Sequence, residues 1–439
     1  MPSNRRRYLA ALGTALAAGC TAPSLTGENT QSPSGNAGSG SVDHTPPAGA
    51  DWEAPSTSPT TASVSPTRLV ENLEIPWDLS FAPNGDLFIT ERVGRVARFD
   101  GDAVRTVARP SDAIDAGSLQ PGSDKRPWWV DGGEGGTLGV ATHPAYPDPP
   151  FVYVYYTTKS GGKKHNKVVR YDAEADEPES TAEVIVDGIP ANLYHNGGRL
   201  VFGPRNYLWV TTGDAGEPKK AQDPGTLNGK ILRITPDGDP APDNPGLDDP
   251  RVFSYGHRNP QGVTWTPDNV VLETEHGPSG HDEMNRLIAG DNYGWPVART
   301  ADAYRDNPQF HRPLLNSGSA PSWAPTGCVF YTGDAVPAWT NRLVVGTLVG
   351  QHINVVTLTP PDGQLPPLDG DSRRFQGDWF DDAYVATSHK LLKDVLGRVR
   401  LVTQGPDGAL YAITSNRDGR ANGKFPREVD DVLVRFDAE

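Results

Sequence analysis

The sequence contains little cysteine and no long apolar run. Cys20 and Cys328 are its two cysteines among 439 residues, so at most one disulfide could form, and none if Cys20 is modified. Hydrophobic residues make up only 36 % of the chain, and no segment reaches the roughly 20 apolar residues of a membrane-spanning helix. The sequence therefore predicts no transmembrane helix and a fold stabilised by packing, with Cys328 as a buried structural thiol.

Basic residues are also too few to balance the acidic ones. The chain has 40 Lys and Arg against 55 Asp and Glu, a formal net charge of −15. A surface this acidic argues against nucleic acid or an anionic membrane as a partner. The composition resembles that of halophilic proteins, in which dense carboxylates keep the surface hydrated.

The amino terminus has the features of a targeting segment. Arg5, Arg6 and Arg7 precede a short apolar run that ends in Ala-Ala-Gly before Cys20. A charged start, a short apolar core and small residues before the cleavage point are typical of an export signal. Residues 1–19 are therefore predicted to be a twin-arginine-type lipoprotein signal peptide, with Cys20 as the lipidated residue. A generic export signal with an incidental cysteine is the alternative.

The segment that follows cannot form a core. Residues 20–65 are rich in Ser, Thr, Pro and Gly and contain almost no large apolar side chains, so they are predicted to be a flexible tether. The protein is then expected to be an exported, cell-surface lipoprotein on the extracellular or periplasmic side, attached to the membrane only through its lipid anchor. Residues 66–439 are predicted to form one folded domain.

This domain is predicted to consist of repeated pairs of strands. With 48 Gly and 42 Pro, short turns of the Pro-Asx-Gly kind separate alternating apolar strands, as at residues 83–85, 204–206, 267–269 and 406–408. Multi-strand units that recur about every 40–70 residues are typical of a propeller. We therefore predict an all-β fold, a six-bladed β-propeller of four-stranded antiparallel blades, whose loops would meet over a central channel.

Two loops carry a possible acid–base pair. His195 lies beside Gly197 and Gly198, and Asp214 lies between glycines after the next strand pair. A histidine that takes a proton needs a carboxylate to fix its tautomer and stabilise the imidazolium. The spacing favours such a pair, although one His and one Asp also occur together without a catalytic role.

Arginines and turn carbonyls complete the candidate site. Arg258 with Asn259 suits an anionic or carbonyl-rich ligand, and Arg398 and Arg400 can share one face of a strand and suit a polycarboxylate. The alternatives are an arginine that binds blade carbonyls and a solvent-facing pair. Hard cations such as Ca²⁺ prefer carbonyl and carboxylate oxygens, which are available at Gly277, Pro278, Glu283 and Tyr293.

These motifs resemble those of the soluble PQQ-dependent aldose sugar dehydrogenases, the soluble glucose/sorbosone dehydrogenase family. The resemblance covers nearly all of residues 68–437. Its motifs are Gly-His-Arg-Asn-Pro-Gln-Gly at 256–262, Glu-His-Gly-Pro at 275–278, Asn-Tyr-Gly-Trp-Pro at 292–296, and Arg-x-Arg at 398–400 before a Gly-Pro-Asp-Gly hairpin. The family fold is a six-bladed propeller.

The resemblance implies a role for each motif residue. His195 would be the general base, Asp214 its acidic partner, and Arg258 would stabilise charge on the reduced cofactor. The cofactor-binding set would be Glu134, Arg258, Asn259, His276, Trp323, Arg398 and Arg400. The carbonyls of Gly277 and Pro278 would bind the Ca²⁺ that polarises PQQ, and Glu283 with the Tyr293 carbonyl would bind a second, structural Ca²⁺.

Three positions depart from the family pattern. Glu134 stands where some members have a glutamine near the sugar, and His276 stands where the glucose-oxidising type has another glutamine. Val349 stands where many members place a basic residue on PQQ. The loss of that cation is expected to weaken cofactor binding.

The sequence thus predicts an exported quinoprotein that oxidises aldose sugars to lactones with PQQ and Ca²⁺. It would use an external electron acceptor, which could be a quinone, a dye or a redox protein. The alternatives are a Ca²⁺-dependent propeller lactonase and a non-catalytic propeller that binds carbohydrate or protein.

Overall fold

The computed structural model describes residues 49–117, 133–319 and 321–438. The predicted signal peptide, Cys20 and residues 20–48 of the predicted tether lie outside these ranges. The described part contains 25 strands and one short helix, α1 (Ala301–Asp306). Its 3-10 segments are Pro59–Thr61, Pro178–Thr181, Pro204–Asn206, Pro218–Gln222, Pro337–Trp339 and Asn416–Asp418.

The first strand, β1 (Val64–Val70), stands apart from four antiparallel sheets that follow one another along the chain. Each of these sheets has four strands in sequence order. They are β2 (Pro76–Phe81), β3 (Leu87–Glu91), β4 (Arg95–Phe99) and β5 (Val104–Ala108); β6 (Thr137–Thr142), β7 (Phe151–Ser160), β8 (Lys163–Asp172) and β9 (Glu183–Pro190); β10 (Leu200–Phe202), β11 (Leu208–Thr212), β12 (Lys230–Ile234) and β13 (Val252–Tyr255); and β14 (Pro260–Trp265), β15 (Val271–Glu275), β16 (Glu283–Leu287) and β17 (Leu315–Asn316).

A fifth sheet has nine strands in the order β1-β25-β24-β23-β18-β19-β20-β22-β21. Its remaining strands are β18 (Pro325–Tyr331), β19 (Arg342–Thr347), β20 (Ile353–Thr359), β21 (Ser372–Phe375), β22 (Val385–Leu391), β23 (Val399–Gln404), β24 (Leu410–Thr414) and β25 (Leu433–Ala438). β1 pairs antiparallel with β25, so strands from both ends of the described chain complete this sheet.

The structure confirms an all-β, propeller-like arrangement of four-stranded antiparallel sheets. The predicted count of six separate four-stranded blades is not what the sheets show, because four are separate and the fifth has nine strands. A single parallel pair, Gly327 with Leu401, joins β18 to β23. A Cβ at residue 327 would collide with the Leu401 side chain, so the absence of a side chain at Gly327 allows the two backbones to meet.

The predicted turns have the expected local chemistry. Between β2 and β3, the Gly85 N–H donates to the Ala82 carbonyl at 2.9 Å, and Gly85 has φ 93°. The Asn84 side chain accepts from the Asp86 N–H at 3.1 Å. A positive φ of this kind favours glycine, so the turn is specified by its own residues.

Residues 49–65 contact the sheets, although the sequence analysis assigns them to the tether. The ring centroids of Trp52 and Phe330 are 4.9 Å apart. Ser58 is buried, and its hydroxyl donates to Asp369 Oδ1 at 2.8 Å. The tether therefore remains a prediction for residues 20–48 only.

Apolar side chains from neighbouring sheets form the core. One cluster unites Trp77, Leu138, Tyr155 and Leu208 from three successive sheets. Cys328 is a free, buried thiol as predicted, and burial raises its pKa to about 12. Within the described residues, no helix is both long and apolar enough to cross a membrane.

Candidate active site

Loops from the four-stranded sheets and from the nine-stranded sheet surround a cavity of about 520 Å³. The cavity is strongly cationic. Its lining includes the arginines Arg92, Arg258, Arg398, Arg400 and Arg420, and the histidines His195 and His276. Glu134 is the only carboxylate among the described lining residues.

His195 and Asp214 form the pair that the sequence predicts. His195 Nδ1 lies 2.7 Å from Asp214 Oδ1. His195 reaches the cavity from the loop between β9 and β10, and Asp214 follows β11. The Ala215 N–H donates to the His195 carbonyl at 3.1 Å, which joins the two loops. With Nδ1 on the carboxylate, Nε2 is the atom left to accept a proton.

Asp214 is fixed from several sides. Its Oδ1 accepts from the Gly216 N–H at 2.8 Å, and its Oδ2 accepts from the Trp295 indole N–H at 2.8 Å. Burial would raise the pKa of Asp214. The hydrogen bond from His195 and the charge of its imidazolium lower the pKa instead, and the hydrogen bonds from Gly216 and Trp295 lower it further, so it lies below its usual value. Asp214 is therefore an ionised orienting group.

Arg258 and His276 form the next part of the wall. Arg258 Nη1 donates to the His276 carbonyl at 2.9 Å, and the guanidinium lies over the Trp295 ring at 5.3 Å. Arg258 Nε and His276 Nε2 are buried without a hydrogen-bond partner. Burial lowers the pKa of His276 to about 3, so its imidazole is neutral.

Arg398 directly precedes β23, Arg400 is the second residue of that strand, and both are 3 % exposed. Arg398 donates to Asp418 Oδ2 from Nε at 3.0 Å and from Nη2 at 2.7 Å. Arg400 Nη1 donates to Gln261 Oε1 at 2.9 Å, and its guanidinium lies 5.7 Å from the Trp77 ring centroid. The predicted solvent-facing alternative for this pair is therefore wrong.

The Asp282 side chain is hydrogen-bonded to the Gly277–Pro278 turn. Asp282 Oδ1 accepts from the Gly277 N–H at 2.9 Å, and Oδ2 accepts from Ser322 at 3.0 Å and from the Ala324 N–H at 3.1 Å. Gly277 lines the cavity. The turn can thus present carbonyl oxygens from a rigid support, as a Ca²⁺ site needs.

At the second predicted Ca²⁺ site, a hydroxyl group lies between the proposed ligands. Tyr304 Oη is 3.0 and 3.1 Å from the two carboxylate oxygens of Glu283 and 3.4 Å from the Tyr293 carbonyl. The Asn316 amide donates to Glu283 Oε1 at 2.9 Å. Glu283 and the Tyr293 carbonyl are brought together, and the Tyr304 hydroxyl lies within hydrogen-bonding distance of both.

A buried acidic group lies behind the Arg258 loop. His257, Glu273 and Glu275 place ligand atoms within 4.8 Å of one another. His257 Nδ1 is 3.2 Å from Glu275 Oε2, and the same oxygen accepts from the Arg258 N–H at 3.2 Å. None of the three lines the cavity, so the described cavity wall lacks the carboxylate cluster that the lactonase alternative requires.

The predicted residues thus fall into two sets. Those that line the cavity are His195, Arg258, Glu134, His276, Gly277, Arg398, Arg400 and Val349. The predicted residues that do not line it are Asp214, Asn259, Pro278, Glu283, Tyr293 and Trp323. Asn259 is buried and accepts from the Gly197 N–H at 3.0 Å, so its amide supports the His195 loop.

Trp323, which the resemblance places in the cofactor-binding set, is not among the residues that line the cavity. Its ring packs in a hydrophobic cluster with Phe375, while its neighbours Ser322 and Ala324 line the cavity. Sequence reasoning missed Arg92, Asp282, Trp295, Asp418 and Arg420. Only Trp295, within the Asn-Tyr-Gly-Trp-Pro motif, carried a signal that could have identified it.

The cavity suits a flat polycarboxylate such as PQQ. Arg398 and Arg400 can bind carboxylates, and two nitrogens of lining residues, Arg258 Nε and His276 Nε2, are buried without a partner. Unpartnered buried polar atoms are costly, and a carbonyl-bearing ligand would satisfy them. Val349 is 50 % exposed at this cavity and offers no charge.

Comparison with known proteins identifies the family. The family model for glucose/sorbosone dehydrogenase matches residues 73–424. The chain belongs to the glucose/sorbosone dehydrogenase family. It is 29 % identical over 394 residues to the aldose sugar dehydrogenase of Escherichia coli, covering 86 % of this chain and 95 % of that protein.

Solved structures agree with this assignment. The PQQ-bound aldose sugar dehydrogenase of Streptomyces coelicolor superposes with a TM-score of 0.69 at 30 % identity, covering 88 % of this chain and 100 % of that one. An oxidoreductase (glucose dehydrogenase) from Thermus thermophilus gives a TM-score of 0.67 at 37 % identity, covering 85 % and 100 %. The chain is thus a sugar dehydrogenase of this family.

Proposed function

We propose that this protein is an exported quinoprotein that oxidises aldose sugars at the anomeric carbon to lactones, with PQQ and Ca²⁺. The observation that carries the proposal is one cavity whose wall holds Arg258, Arg398, Arg400 and His195, with His195 Nδ1 on Asp214. The PQQ-bound relative from Streptomyces coelicolor supports the choice of cofactor.

Each protein group then has a defined task. When bound, PQQ supplies a two-electron acceptor for the hydride equivalent of the sugar C1. His195 Nε2 takes the proton of the anomeric hydroxyl, while Asp214 stabilises the imidazolium through Nδ1. Arg398 and Arg400 hold cofactor carboxylates, and Arg258 stabilises negative charge near its unpartnered Nε. The Gly277–Pro278 turn, supported by Asp282, offers carbonyl oxygens to Ca²⁺.

Dye reduction with aldoses tests the proposal in the mature protein loaded with PQQ and Ca²⁺. Turnover that requires both additions, and that EGTA abolishes, is the expected result. His195→Ala should lower kcat by about 10²–10⁴-fold and leave PQQ binding intact in a spectroscopic titration. Absence of both turnover and PQQ binding would overturn the proposal and favour a non-catalytic propeller, whereas lactone hydrolysis without PQQ would favour the lactonase.

The nine-stranded sheet corresponds in this proposal to two propeller blades, one of β18–β22 and one of β23–β25 with β1. In the part of the chain that the structure describes, only one parallel pair of residues, Gly327 with Leu401, joins the two groups of strands. On either side of it the strands pair antiparallel, β18 with β19 and β23 with β24. With the four separate sheets, this interpretation gives six blades.

Export and anchoring also belong to the proposal, with residues 1–19 as the signal and Cys20 as the lipidated residue. Metabolic labelling with palmitate tests it. Label on the wild-type protein, and unlabelled Cys20→Ser protein released from the membrane, are expected. Labelling that persists in Cys20→Ser would contradict the anchor.

A further inference from the structure

Both carboxylate oxygens of Glu134 already have protein partners. Oε2 accepts from the backbone N–H of His195 at 2.8 Å, and Oε1 accepts from Arg420 Nη1 at 3.0 Å. The Glu134 N–H also donates to the Leu193 carbonyl at 2.8 Å. Two hydrogen bonds therefore join the Glu134 loop to the loop that carries His195.

The backbone of His195 needs such support. Its φ is 59°, in the left-handed region that costs a non-glycine residue about 1–2 kcal/mol. The His195 carbonyl accepts from Ala215, and its N–H donates to Glu134. An unfavourable conformation persists only where its surroundings determine it, and Glu134 is the side chain that holds the N–H.

Arg420 is in turn oriented by the carboxylate that orients Arg398. Asp418 Oδ1 accepts from the Arg420 N–H at 2.9 Å, and Asp418 Oδ2 lies 3.7 Å from Arg420 Nε and 2.7 Å from Arg398 Nη2. Through Asp418 and Arg420, the loop after β24 thus connects Arg398 to Glu134 and so to the loop that carries His195.

Glu134 is ionised in this arrangement. Burial would raise the pKa of its carboxyl, but the charges of Arg420 and His195 outweigh burial and lower it. The side chain is 17 % exposed. An ionised carboxylate whose oxygens both accept hydrogen bonds from the protein is suited to position a neighbour.

We propose that Glu134 and Arg420 are positioning residues that set the orientation of His195, a role distinct from the contact of Glu134 with cofactor or sugar that the family resemblance implies. This inference rests on the proposed function of His195 as base. Glu134→Gln keeps an acceptor for the His195 N–H and loses the charge that pairs with Arg420. Arg420→Gln removes the same ion pair from the other side.

The experiment compares Glu134→Gln, Arg420→Gln and the double variant, with Arg98→Gln as control because Arg98 pairs with Glu174 on the surface at 2.6 Å. PQQ affinity is titrated first, and kcat is measured at saturating PQQ. Each single variant should lower kcat by about 10- to 100-fold, the size expected for a misplaced reacting group. PQQ affinity should stay within about threefold, and the double variant should match the more impaired single one because the two residues act as a unit.

A readout without turnover separates this inference from the proposed function. In the ¹⁵N spectrum of the apoprotein, the His195 ring signals identify the tautomer held by Asp214, and both single variants should shift them while Arg98→Gln does not. Unchanged His195 signals in both variants would overturn the inference, whether or not the enzyme turns over. A loss of PQQ affinity with unchanged kcat would also overturn it, because it would assign the pair to the cofactor.

Discussion

Asp214 Oδ2 accepts a hydrogen bond from the indole N–H of Trp295 at 2.8 Å, while its other oxygen lies 2.7 Å from His195 Nδ1. Trp295 therefore fixes the carboxylate that fixes the imidazole. The same indole ring lies 5.3 Å from the Arg258 guanidinium. The Trp295 side chain thus contacts both Asp214, the partner of His195, and Arg258 of the cavity lining.

Trp295→Phe removes the donor to Asp214 and keeps most of the ring. We expect kcat to fall by about tenfold, since a hydrogen bond to a charged group contributes roughly 1.5–3 kcal/mol. The control is Trp339→Phe, which removes a buried indole N–H that donates to the Pro59 carbonyl at 3.2 Å, outside the cavity lining. Equal losses of kcat in both variants would mean that general destabilisation, and not Asp214, is responsible.

Arg398→Gln is expected to weaken PQQ binding by about 10- to 100-fold, because it removes a charged donor from a buried wall. Fluorescence titration of the apoprotein measures this without turnover. Asp418→Asn should weaken binding in the same direction, since Asp418 holds Arg398 through two nitrogens. The control Arg305→Gln breaks a surface pair with Asp378 and should leave the affinity unchanged, and a comparable loss there would contradict a specific role for Arg398.

The free energy of unfolding should depend on pH in a way that reveals the lowered pKa of Asp214. The pKa of Asp214 is lowered below 3.8 in the folded protein. Its contribution to the free energy of unfolding is therefore complete at a pH above its pKa in the unfolded chain, and it is lost as the pH falls through its pKa in the folded protein. Each proton taken up only by the unfolded chain changes the free energy of unfolding by about 1.4 kcal/mol per pH unit. Urea unfolding between about pH 5 and pH 3 should therefore show a smaller acid loss in Asp214→Asn than in wild type. Parallel curves would contradict the shift.

Local signals in the sequence were enough for some features of the site. The turn at residues 83–85 is specified by its own Pro, Asn and Gly. The pairing of His195 with Asp214, 19 positions apart, followed from two glycine-rich loops on neighbouring strands. Arg398 and Arg400 followed from strand alternation.

The remaining contacts have no local signal. Trp295 meets Asp214 from 81 positions away, and Arg420 meets Glu134 from 286 positions away. Such pairs depend on how the sheets are arranged around the cavity. The spacing of residues along the sequence does not show that arrangement. For the same reason the sequence could not show that Gly327 and Leu401 join two groups of strands into one sheet.

Gly213 provides the most local test of the site, because its missing side chain leaves room for the His195 loop. A Cβ at residue 213 would collide with the His195 carbonyl and lie 3.0 Å from Asn259 Oδ1. Gly213→Ala should therefore displace His195 from Asp214 and lower kcat by about 100-fold, as expected for a shift of about 1 Å in a reacting group.

The matched control for this substitution is Gly225→Ala, where the nearest atom to the new Cβ would be Asp223 Oδ1 at 3.3 Å. Steady-state kinetics at saturating PQQ and a thermal melt of both variants measure the effect. Gly225→Ala should leave kcat unchanged. If Gly213→Ala retains full kcat, the His195 loop can move without loss of function, and the close approach of Gly213 to His195 is not what positions the base.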